Sequence, residues 1–144
     1  MANKRTKRKI MKGDDAMENF DYTVETTKTV DEAVAAIEAK TQEKGFRVLH
    51  IHNVEATLAA KGFTIEPMKI IEICNAKFAS QVLAKDKKIS LMLPCPISVF
   101  VEGGNTYISA LRPRVLADYY PGAGIEEIAG EVERIVISIV EETR

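Results

Sequence analysis

The chain has 144 residues, of which 46% are hydrophobic, 28% are charged and 6% are aromatic, and its net charge is −1. That length suits one domain with one core, and the composition excludes a disordered or fibrous protein. The chain has no Trp and few other aromatic residues, which disfavours a nucleic-acid surface built from stacked rings.

The N-terminus is basic and polar and lacks the apolar stretch of a signal peptide, and no apolar run approaches the roughly 20 residues that span a bilayer. We therefore expect a cytoplasmic protein with no membrane segment. In that compartment the two cysteines are expected to be free thiols, because two cysteines build no disulfide framework in a domain of this size.

The charge is distributed unevenly along the chain. Six basic residues lie within the first twelve positions: Lys4, Arg5, Lys7, Arg8, Lys9 and Lys12. Without these six and the three acidic residues before position 20, residues 20–144 keep 14 basic and 18 acidic residues, a charge of −4. We therefore expect residues 1–19 to be a flexible basic arm and residues 20–144 to be one domain that does not bind nucleic acid.

The first half of this domain is predicted to alternate strands and helices. Residues 20–26 alternate between core-facing and polar side chains, which is typical of a half-buried strand. Thr29 and Glu32 form a capping-box pattern for a helix that ends at Gly45. Residues 46–52 are predicted as a second strand, and Asn53 is predicted to cap a short helix over residues 54–61.

The second half is predicted to contain three further strands and three helices. Strands are expected at residues 68–74, 97–101 and 106–111, with a glycine-containing hairpin between the last two. Helices are expected at residues 76–84 and 113–119, with a polar loop at residues 85–88. The final helix has an apolar stripe formed by Ile125, Ile128, Val132, Ile135, Val136 and Ile139, and the rest of its surface carries Glu126, Glu127, Glu131, Glu133, Glu141 and Glu142.

This order of elements predicts an α+β fold, a two-layer sandwich with a mostly antiparallel five-stranded sheet and its helices largely on one face. The third and fourth strands carry apolar residues on both faces, for example Ile70 against Ile71 and Ile73. We expect homodimerisation to cover the face that turns away from the helices.

The candidate site consists of the two cysteines. Cys74 ends the third strand and Cys95 lies just before the fourth, so adjacent antiparallel strands would bring the two thiols together. Pro94 and Pro96 are expected to make residues 93–96 a rigid irregular segment. Cys74 also precedes a helix, whose positive end would favour a thiolate.

Other polar residues supply weaker candidates near this site. Asn75 is predicted to cap the helix after Cys74, and Glu72 lies on the same strand face as Cys74. Asn75, Glu72, Pro94 and Arg112 are therefore our candidate ligand-binding residues. Arg112, next to Pro113, suits an anion, although surface ion pairing is the alternative.

Three classes of function remain open at this point. The first hypothesis is a dimeric protein that binds a small molecule or handles thiols or sulfur through Cys74 and Cys95. The second is a metal-binding or haem-binding module in which His50 and His52, which share a strand face, join the two cysteines. The third is a non-catalytic structural or interaction domain, since free cysteines are among the most buried residues.

Four short motifs resemble one family, the domain of unknown function 302 (DUF302). They are the strand ending Ile73-Cys74-Asn75, the segment Leu93-Pro94-Cys95, the helix from Val54 to Leu58, and the run from Ser109 to Pro113. The resemblance extends over about residues 20–142. It implies a fold similar to the TATA-binding-protein-like class, a β-α-β4-α sandwich paired as a homodimer. It implies no established reaction, and likeness of fold gives no basis for DNA binding.

Overall fold

Residues 20–144 form five strands and five α-helices. The computed structural model describes residues 20–144, and the predicted basic arm, residues 1–19, lies outside the described residues. The strands are β1 (Asp21–Thr26), β2 (Arg47–Asn53), β3 (Met68–Cys74), β4 (Cys95–Glu102) and β5 (Asn105–Leu111). The helices are α1 (Val30–Glu43), α2 (Val54–Ala59), α3 (Ala76–Lys85), α4 (Arg114–Tyr119) and α5 (Glu126–Thr143).

The strands form one sheet in the order β1-β5-β4-β3-β2, so β1 and β2 are its edges. All four neighbouring pairs are antiparallel, and the helices pack on one side. The predicted α+β two-layer sandwich is therefore confirmed. The β4–β5 hairpin turns through Gly103 and Gly104, whose φ angles of 60° and 85° suit a two-residue hairpin loop.

The core lies between the sheet and helices α1 and α5. Alternate strand residues face the helices and are fully buried, among them Ile71, Ile97 and Ile108. Burial of one such side chain contributes roughly 1.5–3 kcal/mol, so this layer is the main source of stability. The predicted capping box begins α1: Glu32 N donates to Thr29 Oγ1 at 3.1 Å, and Thr29 N donates to Glu32 Oε1 at 2.9 Å.

Most element boundaries differ from the sequence prediction by one or two residues, and two of the differences change the description of the chain. The expected polar loop after α3 is instead largely a 3-10 helix, Lys87–Met92, because Ile89 turns inward and is fully buried beside Val82 and Leu116. Strand β4 begins at Cys95 rather than at residue 97, so the segment expected to be irregular contributes its last two residues to the sheet. Pro96 is tolerated there because it stands at the start of the strand.

Helix α5 has the predicted apolar stripe, with one exception among its polar residues. Val132, Val136 and Ile139 are buried as expected. Glu133, which was expected on the solvent side, is only 4% exposed. Its carboxylate is buried because it binds Arg112, as described below.

The sheet face that turns away from the helices is called the outer face below. By the alternation of the strands it carries six half-buried apolar residues, which lie around Ser98 and Ser109 at the middle of the face: Met68, Ile70, Pro96, Phe100, Tyr107 and Leu111. None of the helices within residues 20–144 is long and apolar enough to pass through a lipid bilayer.

Candidate functional site

A cavity of about 40 Å³ lies where the ends of β3 and β4 meet the helix layer. Its wall is almost entirely apolar and is contributed by the sheet, by α3 and α4, and by the start of α5. The lining residues are Phe46, Ile73, Cys74, Asn75, Phe78, Ala79, Val82, Leu93, Cys95, Pro113, Leu116, Ile125, Ile128, Ala129 and Val132. For comparison, an engineered apolar cavity of about 150 Å³ stays dry and binds benzene, so this one suits a ligand of only a few atoms.

Strand register brings both cysteines to the edge of this cavity, with Cys95 on the same sheet face as Ile73 and Cys74 on the opposite face by the alternation of β3. The Cα partner of Cys95 across the β3–β4 pair is Ile73, and Cys74 follows Ile73 at the end of β3. Both cysteines are free thiols that are partly buried, and both contribute to the wall. Two cysteines that are 21 positions apart in sequence therefore share one apolar environment.

Asn75 fixes the edge of the cavity through backbone contacts. Its Oδ1 accepts a hydrogen bond from Phe78 N at 3.1 Å, so Asn75 caps α3 as the sequence predicts. Its Nδ2 donates to Gly45 O at 3.4 Å, which ties the start of α3 to the turn before β2. Asn75 thus fixes the start of α3 as well as lining the cavity.

Of the two residues before Cys95, one belongs to the cavity wall. Leu93 contacts the cavity, whereas Pro94 is not among the lining residues. The Leu93–Pro94 peptide bond is cis. Cys95 itself packs against the main core from its position at the start of β4.

Burial keeps both thiols protonated. Desolvation raises the pKa of Cys74. Desolvation, and secondarily the nearby charge of Cys74, raises the pKa of Cys95 to about 11. The sequence led us to expect that the positive end of α3 would favour a thiolate at Cys74. The pKa of Cys74 is raised instead, because the loss of water around the sulfur disfavours the thiolate more than the positive end of α3 favours it.

The polar residues of the metal hypothesis lie elsewhere in the sheet. His50 and His52 share the outer face at β2, with their ring centroids 4.4 Å apart. Glu72 is their neighbour there, since its Oε2 lies 3.2 Å from His52 Nε2. Among residues 20–144 no three or more His, Cys, Asp or Glu side chains come together to hold a metal ion. The structure therefore does not gather the two histidines and the two cysteines into one site.

Arg112 is also separate from the cavity. It is 8% exposed, and its Nη2 lies 2.6 Å from Glu133 Oε2. Glu133 Oε1 accepts a further hydrogen bond from Arg114 N at 3.0 Å. Arg112 was expected to bind an anion or to pair at the surface, and instead it forms a buried ion pair that joins β5 to α5.

Sequence reasoning missed the aromatic part of the wall. Phe46 and Phe78 have ring centroids 6.2 Å apart, and both residues line the cavity. Residues from α4 and α5 complete the cavity, among them Leu116 and Val132. Their sequence pattern is that of ordinary core residues, so only their placement reveals them.

The fold and the site together define the class of this protein: a two-layer α+β sandwich with a small apolar cavity that Cys74 and Cys95 line. A family model described as "Domain of unknown function DUF302" matches residues 22–143, and the chain belongs to this family. The chain is also similar to a solved structure, an uncharacterised conserved DUF302 protein from Bacillus stearothermophilus. The two share 30% sequence identity with a TM-score of 0.82, over 88% of this chain and 99% of the other. No curated protein matches the chain.

Proposed function

We propose that this protein binds a small, uncharged, apolar ligand in the cavity at the ends of β3 and β4. The observation that carries the proposal is that Cys74 and Cys95 line one apolar cavity of about 40 Å³. A charged ligand does not suit such a wall, because none of its lining residues within positions 20–144 is charged and could offset the cost of desolvation. A neutral ligand loses little hydration on entry.

The thiols suit this ligand because they are neutral and polarisable. A protonated cysteine behaves as a small hydrophobic group with a weak S–H donor, so it contacts an apolar molecule without an electrostatic penalty. Their raised pKa values keep the sulfur atoms in this form at neutral pH. Contact with a soft, polarisable molecule is the interaction that these groups favour.

Thiol or sulfur handling is the second candidate, and the proximity of the two thiols favours it. Exchange at sulfur requires a thiolate, whose population at neutral pH falls as the thiol pKa rises. Because burial raises both pKa values, ligand binding ranks above sulfur exchange. In either case a reducing cytoplasm would keep the pair as thiols.

The protein is further proposed to act as a homodimer paired through its outer face. The apolar residues of this face include Ile70, Phe100 and Tyr107, and the helices of residues 20–144 pack on the opposite face of the sheet. A second copy of the chain removes these side chains from water.

Xenon is a suitable probe for the cavity because it is apolar, polarisable and only one atom in size. Under xenon pressure, we expect the backbone amide NMR signals of Ile73, Cys74 and Cys95 to shift in the wild-type protein. The Ala79→Leu variant fills the cavity from α3 and should lose these shifts. Absence of a shift in the wild type would refute the binding proposal.

Alkylation by iodoacetamide at increasing pH separates the two candidate functions. For neutral thiols we expect slow labelling at pH 7 that accelerates as the pH rises towards about 11 for Cys95, measured in the Cys74→Ala variant. Rapid labelling at neutral pH would instead support sulfur handling through a thiolate. Thiols that react only after unfolding, together with no xenon shift, would identify a structural domain with inert cysteines.

A further inference from the structure

A cleft of about 380 Å³ lies at the end of the sheet where β3 begins. It is called the α1 cleft below, because the first residues of α1 form one wall and the junction of β2 with α2 forms another. The cysteine cavity lies at the other end of β3, roughly 20 Å away along the strand. The α1 cleft is therefore a separate site, and its volume is within the range of roughly 300–1,000 Å³ that is usual for small-molecule sites.

One part of the α1 cleft is apolar. It is lined by Val30 from α1, Met68 from the start of β3 and Val101 from the end of β4. Val30 is a residue of the main core and Val101 packs against that core, so this part of the wall is fixed in place. A short hydrocarbon chain that lies here is removed from water, which favours its binding.

The positive charge of the α1 cleft is already paired. Lys69 on β3 and Asp31 in the first turn of α1 form an ion pair, with Nζ 2.9 Å from Oδ1. An anionic ligand would have to displace Asp31 from Lys69 before it could bind there. Lys28, which precedes α1, is engaged elsewhere, since its Nζ donates a hydrogen bond to Arg144 O at 3.1 Å.

Glu55 is the charged residue of the α1 cleft that lacks a counterion. It is half-buried, and its carboxylate takes part in no ion pair within residues 20–144. The nearby Glu66 is engaged, because Gly103 N and Gly104 N donate hydrogen bonds to its carboxylate. Two carboxylates and one ammonium group line the cleft, which leaves a net charge of −1.

We propose that the α1 cleft binds a small organic amine in its ammonium form, with the ammonium group paired to Glu55 and the carbon chain on the apolar wall. An ammonium group has three hydrogen-bond donors and no acceptor, which suits the oxygens of Glu55 and the second carboxylate oxygen of Asp31. The amine supplies the positive charge that the lining lacks. A carboxylate ligand of the same size would instead meet Glu55 as a like charge.

Probes with matched carbon chains test the head group and the chain separately. We expect hexylammonium to shift the backbone amide NMR signals of Asp31, Glu55 and Lys69 in a saturable way. Hexanol should bind about fivefold more weakly because it forms no ion pair, and hexanoate should give no saturable shift. Ethylammonium should bind at least about tenfold more weakly than hexylammonium, because it places fewer methylene groups on the apolar wall.

The Glu55→Gln variant keeps the shape of the side chain and removes its charge. It should weaken the binding of hexylammonium by about fivefold and leave the binding of hexanol unchanged. The matched control is Glu38→Gln, since Glu38 is also half-buried but does not line the α1 cleft. This control should bind hexylammonium as the wild type does.

Each contrary outcome overturns the proposal for a different reason. Absence of a saturable shift with hexylammonium would show that the α1 cleft binds no amine. Hexanol binding as tight as that of hexylammonium would show that charge plays no part, and tighter binding of hexanoate would make Lys69 the anchor. Equal weakening by Glu55→Gln and Glu38→Gln would show only a general attraction between a cation and an acidic surface.

Discussion

At the level of single residues, the buried pair of Arg112 and Glu133 shows how context changes the role of a charge. Both side chains are more than nine-tenths buried, at 8% and 4% exposure. Glu133 accepts from Arg112 Nη2 and from Arg114 N, and Arg112 N donates to Phe20 O at 2.9 Å. One carboxylate therefore joins the end of β5 and the start of α4 to α5.

Removal of one member of this pair should be costly. We expect Glu133→Ala to lower the free energy of unfolding by about 3–5 kcal/mol, because it leaves the guanidinium buried without its counterion. The double variant Arg112→Met with Glu133→Leu should lie within about 2 kcal/mol of the wild type, since no unpaired charge remains. Urea unfolding followed by circular dichroism measures both values.

The control for this prediction is Glu131→Ala, two residues earlier on the exposed side of α5. It should change the free energy of unfolding by no more than about 0.5 kcal/mol. Equal costs for Glu131→Ala and Glu133→Ala would show that the ion pair contributes nothing to stability.

At the level of elements, local sequence rules account for most helix starts and for the hairpin. The capping box of Thr29 and Glu32 and the caps at Asn53 and Asn75 all form, because each needs only residues three positions apart. The 3-10 helix Lys87–Met92 was not predicted, since its six residues show no helical periodicity and only Ile89 is fully buried. Short elements of this kind are stabilised by tertiary contacts rather than by local propensity.

The cap of α3 should couple stability to access to the thiol. We expect Asn75→Ala to lower the free energy of unfolding by about 1 kcal/mol, because Phe78 N loses its acceptor. Fraying of this first turn should also speed the alkylation of Cys74 by iodoacetamide in the folded protein.

Asn53→Ala is the matched control, since Asn53 Oδ1 caps α2 through Ala56 N at 2.9 Å, away from the cavity. It should leave the alkylation rate of Cys74 unchanged. If both variants alter thiol labelling equally, the effect is a general loss of stability and not a local role of Asn75.

At the level of the whole molecule, two adjacent residues of β3 belong to different layers. Ile71 is fully buried in the core between sheet and helices, whereas Ile70 lies on the outer face. The same substitution at these positions therefore tests two different interactions.

We expect Ile71→Lys to prevent folding, because a lysine charge cannot be accommodated in the core. Ile70→Lys should fold, with a circular dichroism spectrum like that of the wild type, and should sediment as a monomer because the charge lies within the proposed interface. A dimeric Ile70→Lys protein would argue against the outer face as the interface. Failure of both variants to fold would mean that the outer face supports the monomer itself.

The sequence by itself determined the features that depend on near neighbours. The alternation along β3 and β4, the apolar stripe of α5, the capping residues and the Gly103–Gly104 turn all follow from backbone periodicity and local hydrogen bonding. The family motifs around Cys74 and Cys95 could also be recognised in the sequence, and they placed the candidate site at two strand ends.

Only the tertiary structure decided what surrounds those residues. Whether Cys74 and Cys95 share a cavity depends on the register of β3 against β4, and the rise in their pKa values depends on how much water the packed helices exclude. The burial of Glu133 depends in the same way on where Arg112 falls when β5 meets α5. Desolvation and ion pairing depend on groups that are distant in sequence. The hydrophobic periodicity of the chain therefore does not predict them.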